Sequence, residues 1–355
     1  MPHPSPRTGY DRSRDAGPSG RLTRCEPGAR GIRHCQTDPV SAIENSKVTI
    51  VGAGAVGSSA AYAALIRGSA RHVALYDVAT EKVEAEVLDL QHGTQFTGSS
   101  DIIGGSDVSV AEGSHVVVIT AGAKQKPGQT RIELAGVNAG ILRTMMPQLL
   151  EVAPDAIYVI VTNPCDVLTV LAQEATALPP ERIFASGTVL DTSRLRVRLA
   201  QRAGVSPSSV HAYIVGEHGD TEFPLWSSAT IGTVPILDWQ SAGHPPMTVD
   251  ELDQIAVEVR DAAYKVIQGK GATNYAIGLS SARIIEAILR DEHAVMPVST
   301  VLSDFHGVDR VALSVPSIVS SRGAVPVRES AFSPSELGLL RRSADALGAV
   351  AASLR

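Results

Sequence analysis

From Lys47 onward, short apolar runs alternate with segments that carry helical spacing. The runs are Val48 to Val51, His72 to Tyr76, His115 to Thr120, Ala156 to Thr162 and Arg182 to Ala185. This alternation predicts an α/β fold, a doubly wound parallel sheet covered by helices on both faces. Further along, His211 to Val215 reads as an apolar strand, and Val249 to Ile267 and Ile277 to Leu289 as amphipathic helices. Val295 to Leu302 and Val308 to Val315 read as antiparallel strands, so an α+β part follows the parallel sheet. The last element is a helix: Ser333-Pro334-Ser335-Glu336 is a capping box with proline at the first helical position. Leu340, Ala344, Leu347, Ala351 and Leu354 form its apolar stripe.

Residues 1–46 break this pattern. They hold seven arginines, no lysine and many Pro, Gly and Ser, without helical or strand periodicity, and read as a disordered tail. The segment lacks the apolar core of a secretory signal and the acid-poor amphipathic helix of a transit peptide, so a dispensable tail and a cytoplasmic protein are expected. Five acidic residues leave the tail at +2, so the chain's −6 is an average over a basic tail and an acidic remainder of −8. A length of 355 residues suggests two domains. No apolar stretch approaches the ~18 residues of a membrane helix. The acidic balance and pI near 5.9 argue against a nucleic-acid binder. Cys25, Cys35 and Cys165 are too few and scattered for a disulfide framework or a metal cluster, and no metal is expected.

The first run ends in Gly52-Ala53-Gly54-Ala55-Val56-Gly57 and leads into Ser58 to Ile66, a small-residue helix. Strand, glycine turn and helix come in the order of a Rossmann dinucleotide site. The first glycine allows the tight turn, the second lets backbone approach a pyrophosphate, and the third lets helix and strand touch. The next strand ends at Asp77, twenty residues past Gly57, where a carboxylate can accept hydrogen bonds from ribose hydroxyls and repel a 2'-phosphate. NAD is therefore expected rather than NADP; the competing reading is a glycine turn that only packs.

Three more segments carry chemistry. Ala121 to Arg131 is a polar Pro/Gly loop following a strand, with the composition of a mobile lid. Gly187-Thr-Val-Leu-Asp191-Thr-Ser-Arg194 sets an acid and an arginine three apart at a predicted helix start, a spacing that a helical surface ion pair would also show. Gly216-Glu-His218-Gly-Asp220 places a histidine between glycines. With Thr162-Asn163-Pro164 and Lys270-Gly-Ala-Thr273, these segments resemble the lactate/malate dehydrogenase family from about Lys47 to the C-terminus, most closely its bacterial lactate-specific branch.

That resemblance implies reversible hydride transfer between NADH and pyruvate, in a cofactor domain at 47–187 and a substrate domain at 188–355. It assigns His218 as acid/base, Asp191 as its orienting carboxylate, and Arg131 as the lid residue that polarises the carbonyl. Arg194 matches the substrate-carboxylate clamp, with Gln125, Asn163 and Thr273 lining the substrate site. NAD contacts are implied at Gly52, Gly54, Val56, Gly57, Asp77, Lys82, Gly122, Ala123, Thr144, Thr162, Asn163 and Ser186. These tasks suit the residue types: histidine titrates near neutrality, and a planar guanidinium makes paired bonds to a carboxylate.

The family's malate enzymes carry arginine where this chain has Gln125, to pair a second carboxylate. A neutral amide there favours pyruvate over oxaloacetate. Gln129 replaces the lid's usual glutamate, which bears on substrate preference. Arg196 and His211 match the residues by which allosteric bacterial members bind fructose 1,6-bisphosphate at a subunit interface; two ordinary surface cations would look the same. The resemblance also implies a homotetramer. The open alternatives are a malate dehydrogenase and a catalytically silent dinucleotide-binding module.

Overall fold

The computed structural model describes residues 43–123, 131–241 and 243–354, with Arg131 described in its backbone alone. The predicted lid residues 124–130, including Gln125 and Gln129, therefore lie outside the described residues, as does the Arg131 side chain. The parallel part comprises β1 (Lys47–Val51), α1 (Ala55–Arg67), β2 (His72–Tyr76), α2 (Thr80–Gly93), β3 (Asp101–Gly105) and β4 (Val116–Ile119). It continues with α3 (Arg131–Val152), β5 (Ile157–Ile160), α4 (Cys165–Thr176), β6 (Ile183–Ala185) and α5 (Val189–Ala203). Five short strands follow: β7 (Val210–His211), β8 (Ile214–Val215), β9 (Phe223–Pro224), β10 (Thr230–Ile231) and β11 (Val234–Pro235). The chain closes with α6 (Val249–Lys270), α7 (Tyr275–Leu289), β12 (Ala294–Val301), β13 (Ala312–Ser320), β14 (Gly323–Pro326) and α8 (Pro334–Ser353).

Nine strands form one sheet in the order β14-β13-β12-β6-β5-β4-β1-β2-β3. The six from β3 to β6 are parallel, and β1 lies between β2 and β4. Strand order reverses at β1, and ligands of such sheets bind in the crevice at the strands' carboxyl ends there. The predicted antiparallel strands extend this same sheet, joining it through Ser299 opposite Ala185. The inner strands are apolar throughout because both of their faces are covered. Val117, Ile119, Tyr158 and Ile160 enter one core cluster, while their neighbours Val116, Val118, Ile157 and Val159 enter the cluster on the other face.

The structure corrects three expectations. His211 to Val215 is not one strand: β7 pairs with β10 in one small sheet and β8 with β9 in another. Side chains of α5 capture the backbone between them, since Arg196 Nε donates to Ala212 O and the Thr192 hydroxyl accepts from Ile214 N. The Val308 to Val315 strand is displaced to Ala312–Ser320, because Asp304, His306, Gly307 and Arg310 adopt positive φ and make 304–310 a turn closed by Phe305 and Val308. Residues 43–46, assigned to the tail, belong to the fold. Ile43 N donates to Leu289 O, and buried Ser46 accepts from His72 N. The terminal capping box is present, with the Ser333 hydroxyl accepting from Glu336 N and Ser333 N donating to the Glu336 carboxylate.

A buried acid joins α1 to α7. Glu286, only 2% exposed in its side chain, accepts two hydrogen bonds from Arg67, at 2.7 and 2.6 Å, and one from the Ser69 hydroxyl at 3.0 Å. Burial acts to raise its pKa, but the Arg67 and Ser69 bonds outweigh it and hold the carboxyl below its ordinary value. A depressed carboxylate stabilises the fold fully at neutral pH and loses that contribution as pH falls through its folded value. Glu286→Ala should therefore destabilise the protein by about 1–3 kcal/mol at pH 7, since the half-exposed Arg67 it leaves can turn to water. The loss should shrink in acid, as read by denaturant unfolding at both pH values.

Candidate active site

The glycine turn closes as its spacing predicted. Gly52 has φ +106° and donates to Tyr76 O, and a Cβ there would sit 2.7 Å from Ala121 N. At Gly57 a Cβ would lie 1.8 Å from Gly52 O, so helix and turn touch directly. Gly54, the N-cap of α1, faces open space, with nothing within 4 Å of a Cβ and no side-chain cap. Free amide groups at a helix N-terminus beside open space are what a pyrophosphate requires. Asp77, expected to meet a ribose, is engaged with the turn itself: its two oxygens accept from Ala53 N at 2.7 Å and Ala79 N at 3.0 Å.

Buried Asn138 on α3 ties neighbouring expected contacts together. Its carbonyl oxygen accepts from Ala123 N at 2.7 Å, and its amide donates to Asn163 O at 2.8 Å. The Thr162 hydroxyl donates to Ala121 O, which holds the Gly122 segment against β5's end. Ser186 is buried where its amide donates to Ile160 O. Val56 is half-buried on α1. Lys82 and Thr144 are exposed on α2 and α3, and no hydrogen bond or ion pair ties either to the turn among the described residues.

The second constellation assembles around Asp191 in the first turn of α5. Its side chain is 3% exposed; one oxygen accepts from Arg194 at 2.5 Å and the other pairs with His218 Nδ1 at 2.7 Å. The Asp191–Arg194 spacing therefore reflects a buried pair and not a solvated helix surface. His218 N donates to the buried carboxylate of Asp166 on α4 at 2.8 Å, fixing the loop that carries the imidazole. Burial works against the imidazolium, yet Asp191 first and then Asp166 and Glu222 outweigh it and raise His218 to about 9. Asp191 is held below its ordinary value: burial opposes this, and His218 and Arg194 prevail. Thr273 carries a buried hydroxyl with no hydrogen-bond partner among the described residues.

Arg196 reaches the backbone next to His211. The Arg196 guanidinium bonds Ala212 O and lies 4.9 Å from the centre of the Tyr213 ring, while His211 is exposed on β7. Asn138, Asp166 and Glu222 escaped the sequence reading. Asp166 reads as an ordinary first-turn acid of α4, and a helical asparagine announces nothing. The only signal for Glu222 is its position four residues after His218.

Residues 46–185 match the NAD binding domain of lactate/malate dehydrogenase, and residues 188–353 match the family's alpha/beta C-terminal domain. The chain belongs to the lactate/malate dehydrogenase family. Among relatives of this member, an L-lactate dehydrogenase of Bifidobacterium animalis subsp. lactis is 52% identical over 313 residues, spanning 88% of this chain and 98% of its own. One from Thermus aquaticus is 44% identical over 308 residues, 87% and 99% of the two chains. The crystal structure of a minor L-lactate dehydrogenase from Enterococcus mundtii in a ligands-bound form superposes with a TM-score of 0.83 at 39% identity, over 88% of this chain and 99% of that one. This member is an NAD-dependent oxidoreductase, and the open turn at Gly54 with Asp77 beyond it fits that cofactor.

The two glycines should separate under mutation. Gly57→Ala overpacks the helix–turn contact and should cost about 1–3 kcal/mol, lowering the cofactor-free melting temperature. Gly54→Ala should leave that temperature in place and weaken NADH binding, read by fluorescence titration.

Proposed function

We propose that the chain is an L-lactate dehydrogenase, interconverting pyruvate and (S)-lactate. The observation that carries the reading is the buried Asp191 carboxylate shared between His218 and Arg194. A silent dinucleotide-binding module has no use for an imidazole held by one acid beside a carboxylate clamp. The L-lactate dehydrogenase relatives support the same reading.

When bound, NAD supplies or accepts the hydride. The chain's part is the proton and the orientation of substrate. Asp191 accepts at Nδ1, which leaves His218 Nε2 as the nitrogen to exchange a proton with the substrate oxygen. A raised imidazole pKa keeps the donor charged at neutral pH, as ketone reduction needs. The reverse reaction needs neutral imidazole and gains as pH rises through about 9. Arg194 turns from Asp191 toward the substrate carboxylate, which a guanidinium grips with two parallel bonds. Arg131 polarises the carbonyl when the lid closes. Asn163 and Thr273 line the substrate site, Thr273 through its unpartnered hydroxyl. The cofactor half is read as 47–187, with Val56, Lys82, Thr144 and Ser186 as its outer contacts, and the substrate half as 188–355.

Gln125 decides which acid is taken, because oxaloacetate would bring a second carboxylate to an uncharged amide. NADH oxidation should show a higher kcat/KM for pyruvate than for oxaloacetate, and Gln125→Arg should move that preference toward oxaloacetate by 10-fold or more. A wild-type preference for oxaloacetate would sink the assignment.

The reading extends to a homotetramer working in the cytoplasm in the fermentation of pyruvate, and to control by fructose 1,6-bisphosphate through Arg196 and His211. Two cations per subunit, met by two more from a symmetry mate, suit a doubly phosphorylated ligand. Saturating bisphosphate should lower the KM for pyruvate more at pH 6 than at pH 8. An unchanged KM at pH 6 refutes that control and leaves the activity standing.

A further inference from the structure

Asp191 accounts for one side of the imidazole, but a second acid stands in the same site with no task assigned to it. Glu222 follows His218 by four residues, at the entry to β9. Its Oε1 is buried and has no hydrogen-bond partner among the described residues. One polar atom from each of Asp191, His218 and Glu222 can be chosen so that all three lie within 4.8 Å of one another. A carboxyl held this close to an imidazole in a partly desolvated site interacts with it strongly, since little water screens the pair.

We propose that Glu222 is a positioning residue for the catalytic proton: together with Asp191 it sets the proton affinity of the His218 imidazole. The proposal rests on the functional reading above for its kinetic consequences, though not for its effect on the imidazole. The groups facing Glu222 come from three places. Asp191 and Arg194 reach it from α5, His218 from its own loop, and Arg260, which also bonds Asp261, from α6. Asp166 of α4 acts on the same imidazole. Burial first, and the charge of Asp191 second, raise Glu222 to about 8 against His218, Arg194 and Arg260. At neutral pH the carboxyl is therefore protonated and adds no negative charge to a site that must admit an anionic substrate. In mild alkali it ionises while His218 still holds its proton, and the new charge helps the imidazolium persist.

Glu222→Gln keeps the shape and the neutral form and removes the second state. In protein labelled at histidine Cε1, without cofactor or substrate, the His218 resonance, assigned by its loss in His218→Asn, should titrate about one unit lower in Glu222→Gln than in wild type. Both kinetic limbs should follow it. At pH 9 pyruvate reduction should fall by several-fold while lactate oxidation rises by about 1.5-fold, and at pH 7, where wild type and variant both present a neutral group, their rates should nearly match. Damage to packing would lower both directions together, so the opposite signs identify the electrostatic role. Glu222→Asp, which retains an ionisable group, should recover part of the shift and serves as the second test of charge against shape. An unmoved His218 titration in Glu222→Gln, or parallel losses in the two directions, overturns the proposal. Should wild type fail to oxidise NADH with pyruvate at pH 6.5, the functional reading falls, and the His218 titration still decides the part played by Glu222.

Discussion

Burying an ionised carboxylate is costly unless its charge is met, and Asp191 meets that condition twice, with His218 at one oxygen and Arg194 at the other. The demand shapes its surroundings. Asp191 occupies the first turn of α5, where the helix dipole favours a negative charge. Arg194 follows one turn later on the same helix, and His218 must be delivered from a separate segment. That delivery needs the break between β7 and β8, the Thr192 and Arg196 bonds that hold their backbone to α5, and Asp166 beneath the His218 loop. One buried charge thus accounts for much of the architecture of the second half.

The cofactor side answers a different constraint, close approach of backbone. Gly57 lets α1 meet the turn, and Asp77 locks the turn through Ala53 N, so the free amides at Gly54 open toward a ligand. Asn138 reaches across to Ala123 and Asn163 and links the base of the predicted lid to the end of β5. A chain with a formal charge of −6 nonetheless presents a locally positive helix N-terminus at α1. Local fields of this kind, rather than net charge, govern which small anions enter.

Legibility in the sequence followed the range of the interactions. The strand, glycine turn, helix and acid from Val48 to Asp77 form a local unit, and each residue type there answers a nearby backbone need. The capping box at Ser333 is likewise local. The reading slipped where a distant partner decides the outcome. The segment from His211 to Val215 has strand character throughout, yet helix α5 splits it between two sheets. Residues 43–46 look like the end of a tail until Leu289 and His72 take their hydrogen bonds.

Sequence alone determined the fold class and the cofactor, because glycine spacing and apolar runs are properties of neighbouring residues, and it singled out His218, Asp191 and Arg194 only through their resemblance to a family's motifs. Only the tertiary structure decided that Asp191 is shared by two cations, that Asp166 and Asn138 hold the site's loops, and that half-buried Glu222 brings a buried carboxylate oxygen close to the imidazole. Those facts depend on burial and on distances between α4, α5 and the His218 loop. Burial changes the energy of a charge far more than its identity does, and it is set by parts of the chain that no local pattern records.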